Sequence, residues 1–100
     1  MVTRAQIISA AQEEIGYSRW ADDGAGTKYG RWYAQVTGSP SFGASGVPYC
    51  DMFVSYILAK VGINWVSAYV PSREAQARAR GVLIDKWDVR PGDLVTFDWQ

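Results

Sequence analysis

A helix-forming stretch in the middle of the chain restricts the fold more than any other feature of the sequence. Between Cys50 and Val61 the apolar side chains cover most of the circumference of a helix, and Gly62 supplies a stop. A helix that is apolar on most of its sides usually lies in the centre of a domain. We therefore predict a buried central helix over 50–61.

The composition indicates one globular domain over residues 1–100. Hydrophobic residues make up 48% of the chain and aromatic residues 14%, which suits a small domain with its own core. Ten basic and ten acidic residues give a net charge of zero, so there is no electrostatic case for binding nucleic acid or an anionic membrane surface. No stretch has the length of a membrane span, and the N-terminus lacks the apolar run of a signal peptide. We expect neither a nucleic-acid nor a membrane partner.

Two helices are predicted before the central one. Thr3 and Gln6 have the spacing of a capping box for a first helix that stops at Gly16. A short second helix is predicted over 30–36, ending near Gly38. The stretch 39–48 is rich in Gly, Ser and Pro, which predicts a loop leading to the central helix.

A fourth helix is predicted from a Ser72 cap to Gly81, with Pro71 fixing its entry. Three arginines lie along it: Arg73, Arg78 and Arg80. We interpret them as a solvated face, and a patch facing a substrate is the alternative.

The last part of the sequence predicts strands. Residues 82–84 form a short apolar run, residues 90–93 read Arg-Pro-Gly-Asp and indicate a turn, and residues 94–99 are rich in β-branched and aromatic types. Apolar residues on both faces of 94–99 predict an inner strand of a sheet. Because an isolated pair of strands is marginal, we expect further strands to come from missing sequence, from a second chain or from self-association.

Cys50 is the only cysteine, and the sequence contains no histidine. The first turn of a helix leaves backbone N–H groups unpaired and carries partial positive charge, which stabilises a thiolate and can hold an oxyanion. Asp51 acts in both directions, since its charge favours a helix start and opposes an adjacent thiolate. The alternative interpretation is that Cys50 is a small buried hydrophobic residue.

Four segments of the sequence resemble one family in order and spacing. GVPYCDMFVSYILAKVG, around Cys50, resembles the nucleophile motif of the CHAP domains, the cysteine, histidine-dependent amidohydrolases/peptidases. The other segments similar to that family are TKYGRWYA (27–34), AYVPSREAQARARG (68–81) and RPGDLVTFDW (90–99). Together the four segments cover most of the chain.

The resemblance implies a fold and a reaction. The fold would be α+β, the N-terminal part of a papain-like CHAP domain, with helices followed by the start of an antiparallel sheet. Cys50 would be the nucleophile of a peptidoglycan hydrolase, an N-acetylmuramoyl-L-alanine amidase or endopeptidase of phage endolysin or bacterial cell-wall type. Such a protein acts outside the cell or is delivered to the wall by a phage. The family's histidine follows the segment that resembles 90–99, so we expect this chain to end before it and to be inactive alone.

Among the aromatic residues, Tyr49 is predicted to face a substrate groove because it precedes Cys50. For Tyr29, Trp32 and Trp65, core packing is the favoured interpretation over a role in binding a glycan or peptide.

The acidic residues are predicted to have structural roles. Some CHAP domains bind calcium through an acidic N-terminal loop, but the loop with Asp22 and Asp23 lacks the alternating oxygen ligands of a good site. We therefore predict a solvated loop and no cofactor, with calcium as the alternative. Asp93 and Asp98 are interpreted as turn and strand-end residues, since an ordinary carboxylate is too weak a base for a thiol by about four pKa units.

Two hypotheses stand beside the hydrolase. The chain could be a non-catalytic module that binds cell wall or a protein through an aromatic groove. It could also be one half of a split enzyme, whose other chain supplies the histidine and the remaining strands.

Overall fold

The computed structural model describes residues 2–84 and 88–94, which form a helical domain. The elements are α1 (Arg4–Gln12), α2 (Lys28–Thr37), a 3-10 helix (Pro40–Gly43), α3 (Cys50–Lys60) and α4 (Val70–Ala79). Within these described ranges no residue belongs to a β-strand.

The prediction of an α+β, papain-like fold with the start of an antiparallel sheet is therefore wrong. Residues 82–84 were predicted as a strand, but they lie in an irregular segment after α4 with their side chains exposed. Apolar and β-branched residues favour a strand only where a neighbouring strand completes the ladder, and the described residues offer none. The predicted strand over 94–99 falls outside the described residues except for Leu94, which is irregular.

The turn over 90–93 is confirmed. The Asp93 N–H donates to Arg90 O over 3.0 Å, and Asp93 Oδ2 accepts from the Arg90 N–H over 2.9 Å. Arg4, at the start of α1, forms an ion pair with the Asp93 carboxylate. Asp93 Oδ1 pairs with Arg4 and Oδ2 accepts from the Arg90 N–H, so both oxygens hold the turn in place. These contacts support the interpretation of Asp93 as a turn residue. Asp98 lies outside the described residues.

Side-chain caps explain where the first two helices begin. The predicted capping box between Thr3 and Gln6 is present, because each side chain bonds the backbone of the other residue. The second helix begins at Lys28, two residues before the predicted start, since Thr27 Oγ1 accepts from the Gly30 N–H over 3.0 Å. Gly38 ends that helix in the left-handed conformation, with φ of +72°.

The predicted central helix is confirmed. α3 begins at Cys50 and packs against both α1 and α2. Its buried members come from several sides of the helix: Asp51, Met52, Ser55, Ile57 and Leu58. Met52 has no exposed surface at all, which places the first turn of α3 at the centre of the domain.

α4 begins two residues before its predicted cap. Tyr69 is the N-cap residue and Pro71 lies in the first turn, so Ser72 is inside the helix. A proline suits that position because its missing N–H would be unpaired there in any case. The carbonyl of Tyr69 accepts the first helical bond from the Arg73 N–H over 3.1 Å. The Arg73 side chain reaches Asp51 of α3.

Candidate functional site

Cys50 is the first residue of α3, and it is exposed. The first helical bond runs from the Phe53 N–H to Tyr49 O over 2.8 Å, so the preceding N–H groups of the turn lie beyond the helical ladder. No side chain caps this helix start in the described part of the chain. The sulfur therefore lies at a helix terminus that retains its positive end and is open to solvent.

Asp51, the neighbour of Cys50, points into the protein and is paired. Its Oδ1 accepts from Arg73 Nε over 2.6 Å, and both side chains are buried. Asp51 was expected to oppose a thiolate at Cys50. The pairing with Arg73 offsets that effect, because a carboxylate and a guanidinium in contact present almost no net charge to a neighbouring group.

A hydroxyl completes the buried cluster behind Cys50. Ser55 Oγ accepts from Arg73 Nη2 over 2.6 Å and from the Ser67 N–H over 2.9 Å. It lies 2.7 Å from Ser67 O and 3.0 Å from Asp51 O, and its single proton serves one of these carbonyls at a time. The cluster of Asp51, Ser55, Ser67 and Arg73 thus ties α4 and the segment before it to the first turn of α3.

The interpretation of Arg73 as part of a solvated face is wrong. Only 4% of its surface is exposed, whereas Arg78 and Arg80 are exposed as predicted. The sequence shows an arginine on a polar helix but not its partner, since Asp51 lies 22 residues earlier. An acidic residue in the first turn of an otherwise apolar helix was the one available signal that a buried cation would be needed.

Tyr49 is half-buried beside Cys50, and its ring stacks on that of Tyr29. The ring centroids lie 6.0 Å apart with an interplanar angle of 19°. Tyr29 is buried and also meets Phe53 and Tyr56 edge to face, at 4.9 and 5.3 Å. Core packing is thus confirmed for Tyr29, and the role of Tyr49 in a groove stays a prediction.

A polar cluster fixes the other end of Tyr29. Its hydroxyl donates to Glu14 Oε1 over 3.0 Å, and Lys28 forms an ion pair with the same carboxylate. The contact with Lys28 lowers the pKa of Glu14, while burial raises the pKa of Tyr29 well above its usual range. Glu14 and Lys28 therefore stay charged at neutral pH and join the turn after α1 to the start of α2.

The carboxylate of Asp22 accepts hydrogen bonds from other groups of the chain. Its two oxygens accept from Arg31 Nη2 over 2.9 and 2.7 Å, from the Tyr17 hydroxyl over 2.6 Å and from the Gly24 N–H over 2.9 Å. The hydrogen bond from Tyr17, with those from Arg31, lowers its pKa to about 2. Calcium takes six to eight oxygen ligands. The described residues contain no group of three or more Asp, Glu, His or Cys side chains that could hold a metal ion.

The described site has an exposed thiol and the N–H groups of a helix start but no imidazole, because the sequence has no histidine. Comparison with protein-family models, with curated proteins and with solved structures finds no match for the chain. Over the described residues, no helix combines the length and the apolar character needed to cross a membrane.

Proposed function

We propose that this chain carries the nucleophile of a cysteine-dependent peptidoglycan hydrolase, an amidase or endopeptidase. The observation that carries the proposal is the exposed Cys50 at the uncapped start of α3, in a segment that resembles the CHAP nucleophile motif. Peptidoglycan contains amide bonds between sugar and peptide and within its peptides, which are substrates for acyl transfer by a thiolate.

The proposed reaction is an acyl transfer through a thioester. The Cys50 thiolate attacks the amide carbonyl, and the first-turn N–H groups of α3 hold the oxyanion that forms. The C–N bond then breaks, and the leaving amine takes a proton from an imidazolium. Water hydrolyses the thioester and restores the thiol.

The imidazole in this scheme comes from outside the 100 residues, because none is present within them. A split enzyme would meet this requirement, because its second chain would supply the base. It also means that the chain alone is expected to be inactive on cell walls.

The test measures release of amino groups from purified Gram-positive peptidoglycan, with and without imidazole as an exogenous base. The parent chain is compared with Cys50→Ala. We expect no release from either protein alone and release by the parent only when imidazole is present. Equal release by the two proteins in imidazole, including none from either, would contradict the hydrolase proposal.

A second candidate is a non-catalytic module that binds cell wall. It is favoured by the strongly exposed side chain of Trp20. Saturable binding to insoluble peptidoglycan that is unchanged in Cys50→Ala, without amine release under any condition, would support this candidate over the enzyme.

A further inference from the structure

The side chain of Trp20 is largely exposed, with Arg19 over one face of its ring. The residue is 84% exposed, and Arg19 lies over its ring with 4.4 Å between the guanidinium carbon and the ring centroid. Among the described residues Arg19 makes no ion pair, so its N–H donors remain for a ligand. A tryptophan ring offers a large, rigid apolar surface with an N–H donor at its edge, which suits contact with a ligand.

The ring of Trp20 borders a cavity of about 290 Å³ between the loop before α2 and the loop before α3. Gly26 also lines it, and a Cβ there would lie 2.6 Å from Gly43 O, so this position has no room for a side chain. Ser45 lines the same cavity, and its Oγ accepts from the Gly26 N–H over 3.2 Å. The Ser45 hydroxyl thus keeps its own proton for an acceptor on a ligand.

This cavity lies close to the candidate nucleophile along the chain. Val47 lines it and precedes Cys50 by three residues. Three residues span at most about 11 Å even when fully extended. The lining residue Val47 therefore lies near the start of α3.

We propose that the cavity beside Trp20 binds an N-acetylhexosamine ring of the peptidoglycan glycan strand. The C–H face of a pyranose ring is apolar and packs on the face of the indole that Arg19 does not cover. The acetamido carbonyl accepts from Arg19, and a ring hydroxyl accepts from Ser45. The inference rests on the proposed function for its choice of glycan.

The experiment titrates the chain with tetra-N-acetylchitotetraose and follows the indole N–H signals by NMR. One stacked sugar with few hydrogen bonds predicts a Kd on the order of 1 mM. Trp20→Ala should weaken binding at least about tenfold, since it removes the stacking surface. Tyr69→Ala is the matched control, because Tyr69 is 64% exposed and lies outside the cavity. This control should bind like the parent.

Three results would overturn the inference. They are the absence of saturable binding up to about 10 mM sugar, parental affinity in a folded Trp20→Ala variant, and equal affinity for maltotetraose, which lacks acetamido groups. Circular dichroism of Trp20→Ala checks that the variant is folded, so that a change in affinity can be assigned to the missing indole.

The outcome separates this inference from the proposed function. Cys50→Ala should bind the sugar like the parent, because Cys50 does not line the cavity. Sugar binding without Cys50-dependent amine release would leave the glycan site standing and contradict the hydrolase. Amine release that persists in Trp20→Ala, together with an absence of sugar binding, would support the hydrolase and contradict the glycan site.

Discussion

Arg73 of α4 donates its Nε–H to Asp51 of α3 over 2.6 Å, with both side chains buried directly behind Cys50. Asp51 Oδ2 is buried as well, and within the described part of the chain it has no hydrogen-bond partner. The ion pair is therefore the principal compensation for a carboxylate at the centre of the domain. Its two residues join the helix that carries the candidate nucleophile to the last helix described.

Arg73→Met should destabilise the fold strongly. The change keeps most of the side-chain volume and removes the charge, which leaves Asp51 as an uncompensated buried carboxylate. Breaking a buried pair in this way costs about 3–5 kcal/mol of unfolding free energy. Urea unfolding followed by circular dichroism measures the loss.

Arg78→Met is the matched control for that experiment, because Arg78 is an exposed arginine of the same helix. It should change the unfolding free energy by no more than about 0.5 kcal/mol. The double variant Asp51→Asn/Arg73→Met should be more stable than Arg73→Met, since it removes the unpaired charge. Equal stability of Arg73→Met and Arg78→Met would show that the buried pair does not form.

The features that could be predicted from the sequence were those set by neighbouring residues. The Thr3 capping box and the Gly38 stop depend on contacts within one helical turn, and the burial of α3 follows from its own apolar pattern. Arg73 could not be placed from local sequence, because its partner lies on another helix. The predicted strand over 82–84 failed for a related reason: strand propensity needs a partner strand, and local composition says nothing about one.

The same limit applies to the candidate site. The position of Cys50 at a helix start followed from the Gly-x-Pro sequence before it and the apolar run after it. The serine at the centre of the buried cluster, Ser55, looked like any polar residue on an apolar helix. Its role depends on Ser67 and Arg73, which reach it only after the chain has folded.

Gly30→Ala should destabilise the packing of α2 on the 3-10 helix. A Cβ at Gly30 would lie 2.5 Å from Phe42 O, a backbone atom that cannot move aside without shifting the 3-10 helix. Alanine gains about 0.5–1 kcal/mol as a helix residue. Overpacking costs about 1–3 kcal/mol, so we expect a net loss of stability of about 1–2 kcal/mol.

Gly43→Ala tests that prediction from the other side of the same contact. A Cβ at Gly43 would meet its nearest atom at 3.6 Å, an ordinary contact distance. We expect its thermal unfolding midpoint to stay close to that of the parent while that of Gly30→Ala falls. The prediction fails if Gly30→Ala is as stable as Gly43→Ala.

Cys50 should react with iodoacetamide in the folded protein, because it is exposed at the start of α3. The matched control is Cys50→Ala/Met52→Cys, which moves the thiol two residues along the chain to a position without exposed surface. That thiol should react only through opening of the structure, and therefore more slowly by orders of magnitude. Mass spectrometry of timed samples gives both rates. Protection of Cys50 comparable to that of the control would contradict its exposure and remove the basis for a nucleophile.

Asp22 should contribute to the acid sensitivity of the fold. Its pKa is lowered from 3.8 to about 2 in the folded chain, chiefly by the Tyr17 hydroxyl and Arg31. A carboxyl group with a depressed folded-state pKa adds stability that is fully present above its unfolded pKa, and this contribution is lost as the pH falls from about 4 to about 2.

At pH 3 the unfolded state binds about 0.8 of a proton more than the folded state at this one group. In Asp22→Asn the slope of unfolding free energy against pH should therefore be smaller by about 0.8 of a proton near pH 3. Urea unfolding at half-unit steps from pH 5 to pH 2 measures the slopes of the parent and of Asp22→Asn, and a parental slope in Asp22→Asn would show that the Tyr17–Asp22–Arg31 contacts do not hold the carboxylate in solution.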